Sequence, residues 1–426
     1  MKGDFSRDSF DPRRGYQALL HQQGRAVLDA DLNEQVATQL HLLRRMALDL
    51  IGPHGGPAGD AGFEIMLAES GTVLIGPGRY YAGGVMVENE RLIAYHAQPF
   101  RRIGEAIPTG ITEDGGSATL VYLEVFERAV SAFEDPHLTD PALGEADISL
   151  RRQAVWHVRS IGTGRAMADI DEAEIPALLE PAVDAPPLLA IRAAPPDPSS
   201  ELAAEPGYSG MENRLFRIEL HRGGAPSEAR YKWSRENGRI VGEWRGFDDD
   251  YLLLSMRDPS LSPRVIELTD GAREAAEQPG ELAEIEAAGS DRYRIVDGDI
   301  EAIRALWESG LQRPFARRWE KIAGGSPGLA SIGEIEPGEN NWTMLGDGLE
   351  IAFAGGNYTA GDYWQLAVRP GADLLWPGER DADGLWRPRF CAPAGVTHWR
   401  APLALVGKEN GQPTARDLRR LFEPRF

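Results

Sequence analysis

The chain has 426 residues and only one cysteine, Cys391. A single cysteine excludes an intrachain disulfide and a zinc site built from cysteines. The first residues, MKGDFSRDSF, lack the apolar centre of a signal peptide. No run of about 18 uncharged apolar residues occurs anywhere, as a membrane-spanning helix would require. These absences predict synthesis in the cytoplasm, no Sec export and no direct insertion into a membrane, so that any release from the cell needs another route.

Recognisable catalytic motifs are also missing from the sequence. It contains no GxSxG elbow, no phosphate-binding loop, no HExxH and no glycine-rich dinucleotide fingerprint between a strand and a helix. The eight histidines are dispersed, and no pair lies at metal-ligand spacing on a helix. The sequence therefore predicts a protein that is not an enzyme and that needs no cofactor and no metal.

Positive charge is scarce. The chain has 45 Lys and Arg against 66 Asp and Glu, a formal net charge of −21, and its arginine pairs are scattered. Such a surface repels a phosphate backbone or an anionic membrane, so nucleic acid is excluded as an expected partner. The hydrophobic content of 42% is enough for the cores of two or three domains.

Most of the chain alternates with the period of β-strands. Residues 78–89 predict a hairpin that turns at Gly83-Gly84, and residues 119–128 predict a strand. Residues 214–221 and 230–233 predict an antiparallel pair, and residues 349–353 with 363–368 a late hairpin. The predicted fold class is mainly β with an N-terminal α-helix, built from antiparallel β-sandwich or barrel modules, α+β overall.

The N-terminal helix is predicted over residues 32–51, opened by a capping box of Asp31 and Glu34 and closed by Gly52-Pro53. Its apolar residues form one stripe: Leu32, Val36, Leu40, Leu43, Ala47 and Leu50. Two interpretations of this stripe stay open. The helix lies on its own core, or it joins an oligomeric coiled coil, for which fewer than three full heptads are present.

The changes of pattern along the chain predict five parts. They are a docking arm and helix (1–53), a first β module (54–173), a Pro/Ala-rich linker (174–206), a second β module (207–300), and a helix with a C-terminal β module (301–426). A second helix is expected over residues 300–321, kinked or ended early by Pro314.

Three weaker features suggest other functions. Asp248-Asp249-Asp250 offers carboxylates to a hard cation, but it lacks the pattern of an EF-hand loop. Glu124 with Glu127 and Glu134 with Asp135 are acid pairs of the kind that glycosidases use across a cleft. Tryptophans in strands form either a core or a sugar-binding platform: Trp156, Trp233, Trp244, Trp342, Trp364 and Trp376. A carbohydrate-binding or carbohydrate-active protein is therefore the alternative function.

Several segments, in this order, resemble a bacterial family of unknown function whose genes commonly lie in clusters for contractile injection systems and phage-tail-like particles. The segments are MKGDFSRDSFDP (1–12), LHQQGRAVLDADLNEQ (20–35), LIGPHGG (50–56), GRYYAGGVMVENE (78–90), YLEVFER (122–128), ALGEADISLRRQAVWHV (142–158), GYSGMENRLFRIELH (207–221), YKWSRENG (231–238), GGNYTAGDYW (355–364), and HWRAPLALV with DLRRLFEP near the end. The N-terminal pattern is also similar to the heads of tail-fibre and baseplate proteins.

This resemblance implies a structural component attached at the baseplate or acting as a fibre adaptor, in a particle that is assembled from cytoplasmic subunits and can be released. Its partners would be baseplate or fibre proteins and further copies of itself, with a trimer implied by analogy to fibres. Because the chain stops at Phe426, where some relatives continue into a fibre-like β-helix, an adaptor is expected. Injected effector cargo is a third expectation. The predicted interface residues are Phe5, Phe10, Tyr16, Leu19, Leu20, Leu32, Val36, Leu40 and Leu43, and the alternative for the arm is that it packs on its own domain.

Overall fold

The arrangement of the chain comes from a computed structural model, which describes residues 1–69, 71–101, 117–144, 147–180, 186–195, 207–256, 265–322, 333–338, 341–371, 374–382, 386–409 and 412–423. Over these residues the protein is mainly β, with an N-terminal helix and antiparallel sheets, one of which closes into a six-stranded barrel. The predicted fold class is confirmed. None of the helices in the described ranges is long and apolar enough to span a membrane.

The α-helices are α1 (Asp29–Ile51), α2 (Ile175–Leu179), α3 (Gly271–Ala275) and α4 (Ile300–Glu308). The 3-10 helices are Pro12–Arg14, Tyr95–Ala97, Pro136–Leu138, Pro141–Leu143, Met167–Asp169 and Glu172–Glu174. The strands are β1 (His54–Pro57), β2 (Ile65–Leu67), β3 (Val73–Ile75), β4 (Gly78–Ala82), β5 (Val85–Asn89), β6 (Ile93–Ala94), β7 (Thr119–Val130), β8 (Arg151–Gly162), β9 (Leu188–Ala193), β10 (Arg214–Arg222), β11 (Arg230–Ser234), β12 (Val241–Asp248), β13 (Tyr251–Met256), β14 (Val265–Thr269), β15 (Glu281–Ala287), β16 (Arg292–Gly298), β17 (Phe315–Trp319), β18 (Gly333–Glu334), β19 (Thr343–Gly346), β20 (Leu349–Ala354), β21 (Tyr363–Val368), β22 (Gly378–Arg380), β23 (Trp386–Pro388), β24 (Trp399–Glu409), β25 (Gln412–Asp417) and β26 (Leu421–Phe422).

The chain divides into two compact units, each assembled from separate stretches of sequence. Unit 1 consists of Met1–Asp8, Ala129–Arg151 and Val183–Val396, and unit 2 of Ser9–Arg128, Arg152–Ala182 and Thr397–Phe426. The contiguous modules expected from the sequence do not coincide with these units. The reason is long-range pairing, since β24 from the C-terminal stretch pairs with β7.

Unit 2 contains α1, α2 and three sheets, with the strand orders β26-β1-β4-β5, β2-β3-β6 and β25-β24-β7-β8. Strand β7 is buried along both of its faces, in line with its nearly continuous apolar sequence. The hairpin predicted at residues 78–89 is confirmed as β4 and β5. Its two-residue turn has φ of +58° at Gly83 and +77° at Gly84, the left-handed values that a tight hairpin requires.

Unit 1 contains two open sheets, a two-stranded ribbon (β22-β23) and the barrel. The first open sheet has the order β18-β11-β10-β21, which confirms the predicted pairing of residues 214–221 with 230–233. The second has the order β19-β20-β9, and a common core of buried aliphatic and aromatic residues includes side chains from both sheets.

The barrel closes in the order β12-β13-β16-β15-β14-β17, with every neighbouring pair antiparallel. α4 contributes Ile303 and Leu306 to its core, because residues three apart lie on the same side of a helix. Asp299 caps α4 by accepting a hydrogen bond from the backbone of Ala302 at 2.9 Å.

Three predictions of local structure need correction. The late hairpin is wrong, because β20 pairs with β9 and β19 while β21 pairs with β10. The helix expected over 300–321 ends at Glu308, since Gly310 adopts a φ of +81° and the residues after Pro314 pair on both edges as β17. The linker predicted at 174–206 contains α2 and the buried strand β9; its residues 181–185 and 196–206 lie outside the described chain.

Candidate functional site

The N-terminal helix α1 was predicted correctly as a helix, but its start differs from the prediction. It begins at Asp29, and Leu28 at the N-cap gives no side-chain capping bond. The predicted capping box is therefore wrong, because Asp31 and Glu34 lie inside the helix and Glu34 instead accepts a hydrogen bond from the hydroxyl of Ser9 at 2.5 Å. Asp29 and Asp31 still stabilise this end, since carboxylates favour the positive end of a helix.

One side of α1 packs on unit 2 through small and polar residues. Ala30 and Thr38 are its buried residues. Further along, Arg44 donates a hydrogen bond to Glu127 at 2.6 Å, and its guanidinium lies 5.4 Å from the ring centre of Trp399. The helix is thus held to its own unit by the side that carries few large apolar groups.

The opposite side of α1 is apolar and exposed. The exposed fractions are 54% for Leu32, 51% for Val36, 56% for Leu43, 52% for Met46 and 78% for Leu50. Residues 36, 43 and 50 are seven apart, and residues 32 and 46 precede two of them by four, so these residues occupy the a and d positions of a heptad. The d position between residues 32 and 46 is the exposed polar Gln39. We call these five residues the heptad face. The interpretation in which the predicted stripe lies on the helix's own core is therefore wrong for Leu32, Val36, Leu43 and Leu50, whereas Leu40 and Ala47 are half-buried.

The remaining predicted interface residues of α1 and the arm differ in how exposed they are. Leu40 is half-buried beside the heptad face. In the arm, Tyr16 is 59% and Leu20 is 86% exposed. Leu19 is half-buried, and its backbone N–H donates to the side chain of Gln35 at 2.8 Å, which fastens the arm to α1.

The two phenylalanines of the predicted interface lie in different units. Phe10 belongs to unit 2, where its half-buried ring lies 5.6 Å from that of His41 on α1. Phe5 belongs to unit 1 and is half-buried beside Gly3. The structure therefore brings Phe10, Tyr16, Leu19 and Leu20 into the same unit as α1 and does not bring Phe5 there.

An open groove of about 340 Å³ lies between the bend of the arm at Gly24 and the start of α1. Its lining mixes apolar, polar and charged side chains and consists of Leu19, Leu20, His21, Gln22, Arg25, Ala26 and Asp31. Gly24 has a φ of +71°, the left-handed conformation that glycine adopts without strain. The groove continues the exposed surface of the arm rather than forming an enclosed pocket.

The tryptophans that suggested a sugar platform mainly serve as core residues. Trp233, Trp244, Trp364 and Trp376 are buried. Trp156 is half-buried, and its indole donates to the backbone oxygen of Glu88 at 3.1 Å. The half-buried Trp342 has its ring covered by the guanidinium of Arg192 at 4.0 Å. These six rings do not form an exposed row.

Several of the acidic residues singled out in the sequence have arginine or backbone partners. In the triplet, Asp248 pairs with Arg292 at 2.9 Å and Asp250 with Arg304 at 3.0 Å. Such pairing makes these carboxylates less available to a cation.

Members of the acid pairs also form ion pairs or hydrogen bonds. Glu124 pairs with Arg159 and with Arg400, each at 2.8 Å, and Glu127 accepts from Arg44. The carboxylate of Asp135 caps the 3-10 helix Pro136–Leu138. Glu124 and Glu127 are three apart on β7, so their side chains point to opposite faces and do not face each other across a cleft.

A second feature, not predicted from the sequence, is a charge cluster in unit 1. We define it as Arg217 and Glu219 on β10, Lys232 on β11, Glu267 on β14, Glu274 on α3 and Arg317 on β17. The ammonium of Lys232 lies 2.6 Å from Glu267 and 3.3 Å from Glu219, and Arg317 lies 3.0 Å from Glu274. All six members except the half-buried Glu274 are buried.

The charges of the cluster shift the pKa values of its acids. Burial by itself raises the pKa of a carboxyl group, but Lys2, Arg217 and Lys232 outweigh burial and hold the pKa of Glu219 well below its ordinary value. Arg317 and Lys2 do the same for Glu274 against the effect of burial, bringing its pKa to about 2. Burial first, and then Lys232, lowers the pKa of the neighbouring His221 to about 4.

One sequence signal points toward this cluster. Arg217 and Glu219 alternate with the apolar residues Phe216, Ile218 and Leu220 in a strand, as in a half-buried strand with a solvent-facing side. Here the other side is also buried, so the charges need partners. Those partners come from residues 2, 232, 267 and 274, which no short-range pattern connects with β10.

The fold and these sites define a mainly β protein whose N-terminal helix exposes an apolar heptad face. The chain belongs to a family of unknown function, DUF6519, whose model matches residues 1–185 and 285–414. No curated protein and no solved structure matches the chain.

Proposed function

We propose that this protein is a structural component of a contractile injection system or phage-tail-like particle, attached at the baseplate or acting as a fibre adaptor through protein–protein binding. The particle setting rests on the resemblance of its segments, such as residues 20–35 and 78–90, to the family whose genes lie in such clusters. The binding role rests on one observation, the exposed heptad face of α1.

The chemistry of this face favours further copies of the same chain as its partners. Identical heptads fit one another because each a or d side chain enters a space between four residues of the facing helix. The positions beside the face hold five uncharged residues, Asn33, Gln35, Leu40, Leu42 and Ala47, and one carboxylate, Asp49. Copies of a chain with net charge −21 can therefore approach along this face without bringing many carboxylates together.

The exposed residues also supply a driving force for association. Full burial of one Leu, Val or Met side chain contributes roughly 1.5 to 3 kcal/mol, and at least half of each heptad residue is still exposed. Five such side chains on each helix are thus a large part of what a specific contact needs. A parallel homo-oligomer places the arms of all copies at one end, and a trimer is the state that the resemblance to fibre proteins implies.

The mass of the protein in solution tests this binding role. We expect light scattering to give an oligomer for the unaltered chain and a clearly lower mass for the double variant Val36→Glu with Leu43→Glu. Arg45→Glu, at an exposed position of α1 outside the heptad face, is the matched control and should leave the oligomer intact. A monomer for the unaltered chain would contradict self-association through α1.

The particle setting needs a separate measurement. Mass spectrometry of purified particles from the producing cell should find this chain in a constant ratio to baseplate and fibre subunits. Absence from such particles would overturn the particle assignment even if the chain forms an oligomer. Carbohydrate binding is the weaker alternative, because the tryptophans that suggested it are core residues or are covered by other groups.

A further inference from the structure

The first four residues of the chain lie in unit 1 and are held there by hydrogen bonds to their backbone. The side-chain amide of Asn237 donates to the carbonyl oxygens of Met1 and Gly3, both at 2.9 Å. The N–H of Gly3 donates in return to the carbonyl oxygen of Asn237 at 3.2 Å, and the amide of Gln365 donates to Met1 at 3.3 Å. Side chains that bond the backbone of a short segment hold it in one register.

The side chain of Lys2 enters the charge cluster. Its ammonium donates to Glu274 at 3.0 Å and lies 3.4 Å from Glu219. It also lies 5.9 Å from the ring centre of Trp319, within reach of a cation–π interaction. A cation with several donors meets two carboxylates and an aromatic face, so the position selects a lysine over a neutral residue.

The neighbouring positions add further selectivity. Gly3 has a φ of +147°, and a Cβ at this position would lie 2.3 Å from the side chain of Leu150, so no other residue fits without a shift. Asp4 pairs with Arg239 at 3.0 Å. The slot therefore discriminates at two successive positions, for lysine and glycine, and the exposed pair of Asp4 with Arg239 adds a weaker preference.

The charge cluster does not need Lys2 for its own balance. Arg217, Lys232 and Arg317 match Glu219, Glu267 and Glu274 in number. Each of these carboxylates has a cation other than Lys2 within 3.0 Å. Buried charges that keep partners in this way remain compensated when the segment leaves. The slot can thus persist while it is empty.

We propose that this slot is a recognition site for a Lys-Gly-Asp peptide segment, filled by residues 1–4 of the chain and open to the same segment of a second copy. This inference goes beyond the proposed function and does not depend on it, because the slot belongs to unit 1 and the heptad face to unit 2. Exchange of the segment between copies would link subunits without any contact between their α1 helices.

Peptide exchange on the full chain tests the proposal. A protease site is inserted between Arg14 and Gly15, two exposed residues, and the purified protein is then cut so that the segment stays bound only by its contacts. A labelled peptide of residues 1–14, MKGDFSRDSFDPRR, which keeps the contacts of Ser9 and Phe10, should replace it, as measured by fluorescence anisotropy. Peptides with Lys2→Met or Gly3→Ala should bind about 10- to 100-fold more weakly, the loss expected for a hydrogen bond to a charged group or for a steric clash.

Three results would overturn the proposal. They are no exchange while the cut protein stays folded by circular dichroism, equal binding of the Lys2→Met peptide, and unfolding on cutting, which would make the segment an inseparable part of the core. The same peptides offered to a cut Glu274→Gln variant give an independent check, since the advantage of lysine over methionine should shrink there.

A cross-linking experiment on uncut protein distinguishes the two sources of the segment. A carbodiimide joins an ammonium to a carboxylate in contact, so it should join Lys2 to Glu274. In a mixture of ¹⁴N and ¹⁵N chains that have been unfolded and refolded together, cross-linked peptides of mixed label show a segment from a second copy. Single-label peptides without any of mixed label show the chain's own segment. Absence of any Lys2–Glu274 cross-link would contradict the slot itself.

Discussion

The ammonium of Lys232 and the carboxylate of Glu267 lie 2.6 Å apart in the interior of unit 1. Lys232 belongs to the open sheet and Glu267 to the barrel, so this ion pair joins the two structures. Glu267 also accepts hydrogen bonds from the indole of Trp319 at 2.9 Å and from the backbone of Gly280 at 3.0 Å. A fully bonded pair of this kind fixes the sheet against the barrel in one register.

The substitution Glu267→Gln should therefore destabilise unit 1 strongly. It leaves the buried Lys232 with the more distant carboxylate of Glu219 at 3.3 Å, and breaking a buried pair in this way costs about 3 kcal/mol or more. Urea unfolding followed by tryptophan fluorescence measures the loss. Glu286→Gln, in a pair with Arg294 whose side chains are both 63% exposed, is the control and should change stability by less than about 0.5 kcal/mol. Equal effects of the two substitutions would show that the buried pair has no special role.

The stability of unit 1 should also fall as the pH drops below 6.5. The pKa of His221 is lowered from 6.5 to about 4, so between these values the unfolded chain binds a proton that the folded chain does not. Unfolding is then favoured as the pH falls through this window, by roughly 3 kcal/mol at most. Below pH 4.5 the lowered pKa values of Glu219 and Glu274 act in the same direction, because their stabilising charge is present above 4.5 and is lost as the pH falls.

Urea midpoints at a series of pH values between 7.5 and 4.5 measure this dependence. The variant His221→Gln cannot titrate, so its midpoint should vary less with pH between 6.5 and 4.5 than that of the unaltered chain. An unchanged slope in the variant would mean that His221 is not the group responsible.

The sequence predicted those parts of the fold that depend on neighbouring residues. Gly83-Gly84 indicated the hairpin of β4 and β5 because the left-handed φ values are a local requirement. The closure of the barrel was not predictable in this way, since β17 pairs with β12 and β14 across long stretches of chain. The prediction that the second helix runs to residue 321 failed for the same reason, because its last residues pair with these distant strands as β17.

In the candidate site, too, the features set by neighbouring residues were predictable and those set by distant residues were not. The spacing of Leu32, Val36 and Leu43 predicted an apolar stripe, but not which way it faces. Its direction depends on Glu127 and Trp399, which hold Arg44 on the other side of the helix and come from distant strands. The slot for Lys2 is still harder to foresee, because its carboxylates are more than 200 residues away in the chain.

Gly83→Ala should destabilise unit 2 by more than its backbone conformation alone explains. A Cβ at Gly83 would lie 1.8 Å from the indole of Trp399, and its φ is +58°. We expect a loss of about 3 kcal/mol from the clash and the left-handed backbone together. Gly59→Ala is the matched control, because its φ is +90° and no atom lies within 4 Å of the added Cβ, so it should cost only about 1 kcal/mol. Calorimetric unfolding compares the two, and equal losses would argue against close packing of Trp399 on the hairpin.

Glu127→Gln should loosen α1 from unit 2 without changing the heptad face. Glu127 accepts a hydrogen bond from Arg44 at 2.6 Å, and the side chains of Glu127 and Arg44 are 16% and 22% exposed. Because both are partly exposed, the free energy lost with this bond should lie at the lower end of the range for hydrogen bonds to charged groups. We expect backbone hydrogen exchange over residues 40–51 to become about 10-fold faster, which corresponds to about 1.4 kcal/mol. Arg45→Gln, at an exposed position of the same helix, should leave the exchange unchanged. If α1 stays protected in Glu127→Gln and loses protection in Val36→Glu with Leu43→Glu, then association through the heptad face, rather than docking on unit 2, is what holds the helix.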